Sequence, residues 1–181
     1  MEFMMEKERG LLHLYCGDGK GKTTTAVGLS IRFAGAGKRV LLYQFMKNNT
    51  SSERNILEQI PLITCEKGKD QVKFSFQMSE EEKKQEFEEN NKKLIEMFQK
   101  AKEQEYDLLF LDETLYTIDA GLLSEELLIE ELKKKPTKLE VVLTGRNPSE
   151  NLIQLADYVS EIKKVKHPFE QGISSRKGVE Y

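Results

Sequence analysis

The chain has 181 residues, 38% of them hydrophobic, and 28 basic and 31 acidic side chains give it a net charge of −3. That length suits one domain able to bury roughly 70% of the surface its unfolded chain exposes, and the charge leaves no basic surplus to draw in nucleic acid. Two cysteines, Cys16 and Cys65, make no disulfide framework, Met1 to Gly10 are too charged and too few for a signal peptide, and no apolar run approaches the ~20 residues of a bilayer span. The expectation is a cytoplasmic protein with neither membrane nor nucleic-acid partners.

Leu11 to Tyr15 predicts a first strand and Thr23 to Ala36 its helix, closed by Gly37 before a second strand over Arg39 to Phe45. Strand, helix and strand over this length imply a right-handed parallel crossover. Leu62 to Cys65 and Val72 to Phe76 are short strand candidates. Ser79 with Glu82 three residues on forms a capping box, opening a long polar helix to Gln104 with Phe87, Leu94, Phe98 and Ala101 on one face. Leu108 to Leu111, Leu139 to Thr144 and Tyr158 to Ile162 read as apolar strands, with helices over Ser124 to Lys134 and Pro148 to Ala156. This alternation predicts an α/β fold of the P-loop NTPase (RecA-like) kind, a mostly parallel sheet with helices on both faces.

The segment Cys16-Gly17-Asp18-Gly19-Lys20-Gly21-Lys22-Thr23-Thr24 lies between the first strand and its helix, where a phosphate-binding loop belongs. Glycines let such a loop curl so that backbone N–H groups point at a triphosphate, and the helix N-terminus adds its positive end. Lys22 is placed to reach the outer phosphates and Thr23 to offer its hydroxyl to magnesium. The strict pattern puts its first glycine where Cys16 stands, so here the glycine comes one residue late. Cys16 is expected to be packed rather than catalytic, and His13, inside the first strand, to be structural.

Asp112-Glu113 directly follows an apolar strand, where the carboxylates of a parallel sheet face the same crevice as the loop. One can hold a metal, directly or through water, and the other can ligate it or act as a base. An acidic helix N-terminus is the plainer reading of the pair.

Further segments resemble the ATP:corrinoid adenosyltransferase family, also called cob(I)alamin or cob(I)yrinic acid a,c-diamide adenosyltransferases. The loop from Gly17 to Thr24 is similar to the family's own, late glycine included, as are Gln44-Phe45-Met46-Lys47, Glu53 to Glu58, Leu111-Asp112-Glu113, Leu143-Thr144-Gly145-Arg146 and Leu155-Ala156-Asp157 with Val159-Ser160-Glu161. Val165-Lys166-His167-Pro168-Phe169, Gly172-Ile173 and Lys177-Gly178-Val179-Glu180-Tyr181 complete a likeness running from residue 11 to the end.

The resemblance implies transfer of the 5′-deoxyadenosyl group of ATP to the cobalt(I) of a reduced corrinoid such as cob(I)alamin, with triphosphate released, in adenosylcobalamin biosynthesis or salvage. Cobalt is then the nucleophile, so the protein supplies none. Lys22 and Glu113 support the chemistry, and Gly17, Asp18, Gly19, Lys20, Gly21, Lys22, Thr23, Thr24 and Arg146 bind ATP, which lies reversed in the loop. Thr23 and Glu113 complete the shell of a magnesium or manganese ion. Phe74 and Phe76 stand where the family sets an aromatic pair against the lower corrin face, with Phe76 where Trp is common. Taken by themselves, they are alternate residues of a short strand. The resemblance further implies a homodimer, a reducing flavoprotein as electron source, and a domain over residues 11–181 preceded by a tail or short lid over 1–10. His167 is expected to be a loop hydrogen-bonder rather than a cobalt ligand. A plain P-loop ATPase and a nucleotide-switched corrinoid-binding protein are the competing readings.

Overall fold

A strand such as Leu108-Leu109-Phe110-Leu111, apolar at consecutive positions, has no polar face to show and must be covered on both sides. The computed structural model, which describes residues 9–73 and 75–181, meets that demand. Strands β1 (Leu12–Cys16), β2 (Val40–Gln44), β3 (Ile63–Cys65), β4 (Leu108–Asp112), β5 (Glu140–Thr144) and β6 (Tyr158–Glu161) form one sheet. Their order is β3-β2-β4-β5-β1-β6 and every pairing is parallel.

Helices α1 (Lys22–Gly35), α2 (Arg54–Leu57), α3 (Glu80–Glu103), α4 (Thr114–Asp119), α5 (Glu125–Lys134) and α6 (Glu150–Leu155) lie between the strands in the chain. The period-2 alternation of the strands divides the core between the two faces of the sheet. Leu41, Tyr43, Leu109, Leu111, Val141 and Leu143 pack with Leu94 and Phe98 of α3, Leu115 of α4 and Leu128 of α5. Val40, Leu42, Leu108, Phe110 and Val142 pack on the other face with Ala26 and Ala34 of α1 and Leu57 of α2. The expected parallel sheet with helices on both faces is therefore what forms.

The expected capping box opens α3: the Glu82 N–H donates to Ser79 Oγ at 3.2 Å and the Ser79 N–H to Glu82 Oε2 at 2.9 Å. Phe87 is only half-buried, and Asn90 takes an inward position by donating to the Leu122 carbonyl at 2.9 Å. His13 is structural, as expected: its Nε2 lies 2.5 Å from Glu140 Oε1 and its ring stacks on Tyr158. Gly10 donates its N–H to the Thr137 carbonyl, so it belongs to the packed body rather than to a tail, and residues 1–8 lie outside the described residues.

Two strand expectations need correction. No strand forms over Val72 to Phe76: residues 71–73 have no regular structure and Ser75–Gln77 is a single 3-10 turn, while Phe74 lies outside the described residues. β6 does form, but at the edge of the sheet and exposed along its whole length rather than buried.

Candidate functional site

Register brings the C-terminal ends of the central strands together: Gln44 of β2 pairs with Asp112 of β4, and Tyr15 of β1 with Thr144 of β5. The glycine-rich loop leaves β1 at this same edge. Cys16 is the last, buried residue of β1, its thiol pushed up in pKa by burial, so the loop proper begins at Gly17 and the late glycine is accounted for. Gly17 has φ +109°, and a Cβ there would meet the Ile162 carbonyl oxygen at 2.4 Å. Only glycine fits such a place.

The loop is fastened from the far end of the chain. The Gly19 N–H donates to the Ile162 carbonyl at 2.7 Å, and Asp18 Oδ1 accepts the Lys164 N–H at 2.9 Å, which holds that carboxyl below its usual pKa. Through these contacts Asp18 and the Gly19 N–H hold the loop's shape, and Gly19 is needed because its backbone passes so close to Ile162 and Lys163.

Past Gly21, α1 begins with Lys22, Thr23 and Thr24, with no side-chain cap and no acidic residue in its first turn. First-turn N–H groups have no intrahelical acceptor, so such an end suits an anion. Lys22 Nζ donates to the Gly19 carbonyl at 2.8 Å, and burial lowers its pKa. Lys20 is exposed. Arg146, exposed just beyond β5, is near enough for its charge to act on Lys22, Glu113 and Asp18, which places it at the same edge.

Asp112 is fully buried and collects four donors: Thr23 Oγ1 at 2.9 Å and Thr144 Oγ1 at 2.6 Å on Oδ1, with Lys47 Nζ at 2.7 Å and Gln44 Nε2 at 3.0 Å on Oδ2. Glu113 follows in the left-handed region, φ 58°, its N–H held by Thr144 Oγ1 at 2.9 Å. Burial, and then the neighbouring Asp112 charge, push its carboxyl above the usual carboxylate range. The expected acidic pair thus has divided roles, with Asp112 committed inside the protein and Glu113 facing the cleft.

That cleft measures about 860 Å³, within the usual range of ligand sites. Thr23, Thr24, Lys47 and Glu113 form a polar side, while Val72, Tyr116 and the C-terminal residues Gly178 to Tyr181 also line it. The terminal segment is anchored there by Ser52 Oγ, which donates to the Tyr181 carbonyl at 2.9 Å, and is braced within itself by the Arg176–Glu180 ion pair at 3.1 Å. Gly17 to Lys22, Arg146 and Phe76 do not line it. Phe76 is 80% exposed, which removes the core-facing strand reading. The irregular segment before it is tied to α3 by Lys69 with Glu86 and Glu89, at 2.5 and 2.6 Å, and by the Lys73–Glu82 pair. His167 Nδ1 accepts the Phe169 N–H at 3.2 Å, the loop hydrogen bond expected of it.

Sequence reasoning did not assign Lys47, Gln44 or the C-terminal wall to the site. The available signal was position, since Gln44 ends the strand beside β4 and Lys47 stands three residues beyond it.

A glycine-rich loop between the first strand and helix of a parallel sheet, facing an acidic strand end across the edge, defines an α/β protein of the P-loop type. Residues 8–181 match the family model ATP:corrinoid adenosyltransferase BtuR/CobO/CobP, and the chain belongs to that family. It is 32% identical to the corrinoid adenosyltransferase of Escherichia coli (strain K12) over 97% of this chain and 88% of that protein. The corrinoid adenosyltransferase CobA of Salmonella typhimurium shows the same identity and coverage. The corrinoid adenosyltransferase of Pseudomonas aeruginosa is 29% identical over 96% of this chain and 85% of its own length.

Proposed function

We propose that this enzyme, a corrinoid adenosyltransferase of cobalamin biosynthesis, moves the 5′-deoxyadenosyl group of ATP onto the cobalt(I) of a reduced corrinoid and releases triphosphate. The observation that carries the reading is the Thr23–Asp112 hydrogen bond, which joins the start of α1 to the acidic strand end and brings Glu113 beside the same cleft. In the step itself cobalt(I) donates an electron pair to form the Co–C5′ bond and becomes cobalt(III). The C5′–O5′ bond breaks and its electron pair leaves on the triphosphate. No protein nucleophile or base is needed, so the work of the chain is to position and to neutralise charge.

Lys22, the loop residues Gly17, Gly19, Lys20 and Gly21, and Thr23 and Thr24 surround the phosphates, with Arg146 at the rim; Asp18 acts by holding the loop. Thr23 and Glu113 would hold magnesium, or manganese, together with phosphate oxygens. The donor set fits: it is all oxygen, and Gln44 Oε1 is buried without a hydrogen-bond partner, an acceptor suited to a metal-bound water. When bound, the ion supplies positive charge to the leaving triphosphate. Phe76, with Phe74 two residues before it in sequence, faces the corrin, where an apolar wall keeps an axial ligand off cobalt and eases reduction to cobalt(I).

Residues 11–181 act as one domain, paired with a second copy, with a reducing flavoprotein as electron source. The unpaired thiols of Cys16 and Cys65 suit a cytoplasmic setting. Among the described residues no helix is long and apolar enough to cross a membrane.

The test is an anaerobic reaction of the purified protein with ATP, magnesium and chemically reduced cob(I)alamin. A light-sensitive alkylcorrinoid with one triphosphate per turnover is the expected outcome. Release of ADP and phosphate without corrinoid, and no change in the visible spectrum, would replace the reading with that of an ordinary ATPase.

A further inference from the structure

Lys47 is a half-buried cation to which adenosyl transfer as described above gives no task. Its ammonium lies 2.7 Å from Asp112 Oδ2 and 3.4 Å from Thr23 Oγ1, while Glu53 Oε1 stands off at 3.9 Å, beyond hydrogen-bond reach. An ammonium has three N–H groups, so these contacts leave one for a further acceptor. Lys47 lines the cleft beside Thr23, Thr24 and Glu113.

The charge of the cleft makes this placement consequential. Asp112, Glu113 and Glu53 gather at the floor, and a triphosphate brought against three carboxylates would be repelled. Lys22 answers from the loop side, where its ammonium sits on the Gly19 carbonyl. On the β2 side, among the described residues that line the cleft, Lys47 is the cation. We propose that Lys47 is a second ammonium of the triphosphate site, held in place by Asp112 and contacting phosphate oxygens beside Thr23. As the C5′–O5′ bond breaks and its electron pair passes to the triphosphate, Lys47 meets part of the added negative charge. The inference rests on the adenosyl-transfer reading.

Binding of inorganic tripolyphosphate in the presence of magnesium, measured calorimetrically on the full chain, tests it without corrinoid. Lys47→Met should weaken that binding about tenfold to a hundredfold, the loss expected for one charge-assisted contact, and Lys47→Arg should keep most of it. Lys47→Met alone leaves Asp112 buried without its counter-charge and risks unfolding. The double variant Lys47→Met/Asp112→Asn removes the pair together, and thermal denaturation confirms its fold. If it binds as weakly as Lys47→Met, Lys47 touches the triphosphate. If its affinity returns to the wild-type value, or Lys47→Met never loses affinity, Lys47 serves only to neutralise Asp112 and the proposal fails. A wild-type protein that ignores tripolyphosphate would overturn the phosphate site itself and the inference with it.

Discussion

Thr144 Oγ1 donates to the buried Asp112 carboxylate at 2.6 Å and accepts the Glu113 N–H at 2.9 Å, so one hydroxyl fixes both members of the acidic pair. The second bond also steadies Glu113 in the left-handed region, a conformation that non-glycine residues adopt at a cost. Thr144→Val keeps the shape and deletes the hydroxyl. It should cost about 1–3 kcal/mol in stability, the penalty of leaving buried polar groups unmatched, and lower kcat more than it raises KM for ATP. Urea unfolding and steady-state kinetics measure the two; an unchanged kcat would separate Glu113 from the chemistry.

Glu113 carries a cost that its removal should reveal. Burial and the Asp112 charge raise its folded-state pKa above the ordinary 4.5. The stability it contributes is therefore complete below 4.5 and is lost as pH rises through the raised value. At neutral pH Glu113→Gln should raise Tm by ~2–4 °C, the shift that about 1 kcal/mol gives a domain of this size, while adenosylation falls. The gain should vanish at pH 4. Scanning calorimetry at the two pH values decides it, and a variant less stable at pH 7 would contradict the assignment of strain to this carboxylate.

Much of this site was legible because a parallel sheet puts every strand's C-terminal end on one edge. Once β1 and β4 were read from their apolar runs, Thr23 had to lie near Asp112. The role of Lys47 was not legible, although its place just past β2 was a signal, since its partners Thr23 and Asp112 are 24 and 65 residues away. The loop-holding contacts of Asp18 and Gly19 were not legible for a related reason: their partners, Lys164 and Ile162, come from the far end of the chain. The alternation Val72, Phe74, Phe76 suggested a strand. That segment is instead tied by lysine–glutamate pairs to α3, leaving Phe76 in a 3-10 turn.

Lys22→Ala should leave the fold intact, because burial already penalises that ammonium and its hydrogen bond goes only to the adjacent loop. The kcat/KM for ATP should fall on the order of 10²–10³-fold, as when a preorganised donor to developing charge is removed. Near-normal turnover would remove the loop from the phosphate site.

Phe76 is 80% exposed, so Phe76→Ala should leave Tm within about 1 °C of wild type, as surface substitutions do. If the ring shields cobalt, turnover starting from cobalt(II) with a reductant should drop more than turnover from chemically prepared cobalt(I). Equal losses in the two assays would point to corrinoid binding alone, and no loss in either would take Phe76 out of the site.

Far from the cleft, Glu140 ties β5 to β1 through two bonds, accepting the Leu11 N–H at 2.8 Å and facing His13 Nε2 at 2.5 Å. Burial acts to raise its pKa, but the His13 contact and the Leu11 N–H outweigh that and hold it below 4.5. A carboxylate of this kind contributes stability that is present above 4.5 and disappears as pH falls through its depressed value. Glu140→Ala strands the His13 ring and the Leu11 N–H, and should cost about 2 kcal/mol at pH 7, shown as a lower urea midpoint with an unchanged slope. The gap between wild type and variant should narrow toward pH 3. A gap that stays constant down to that pH would mean that Glu140 acts by packing rather than by charge.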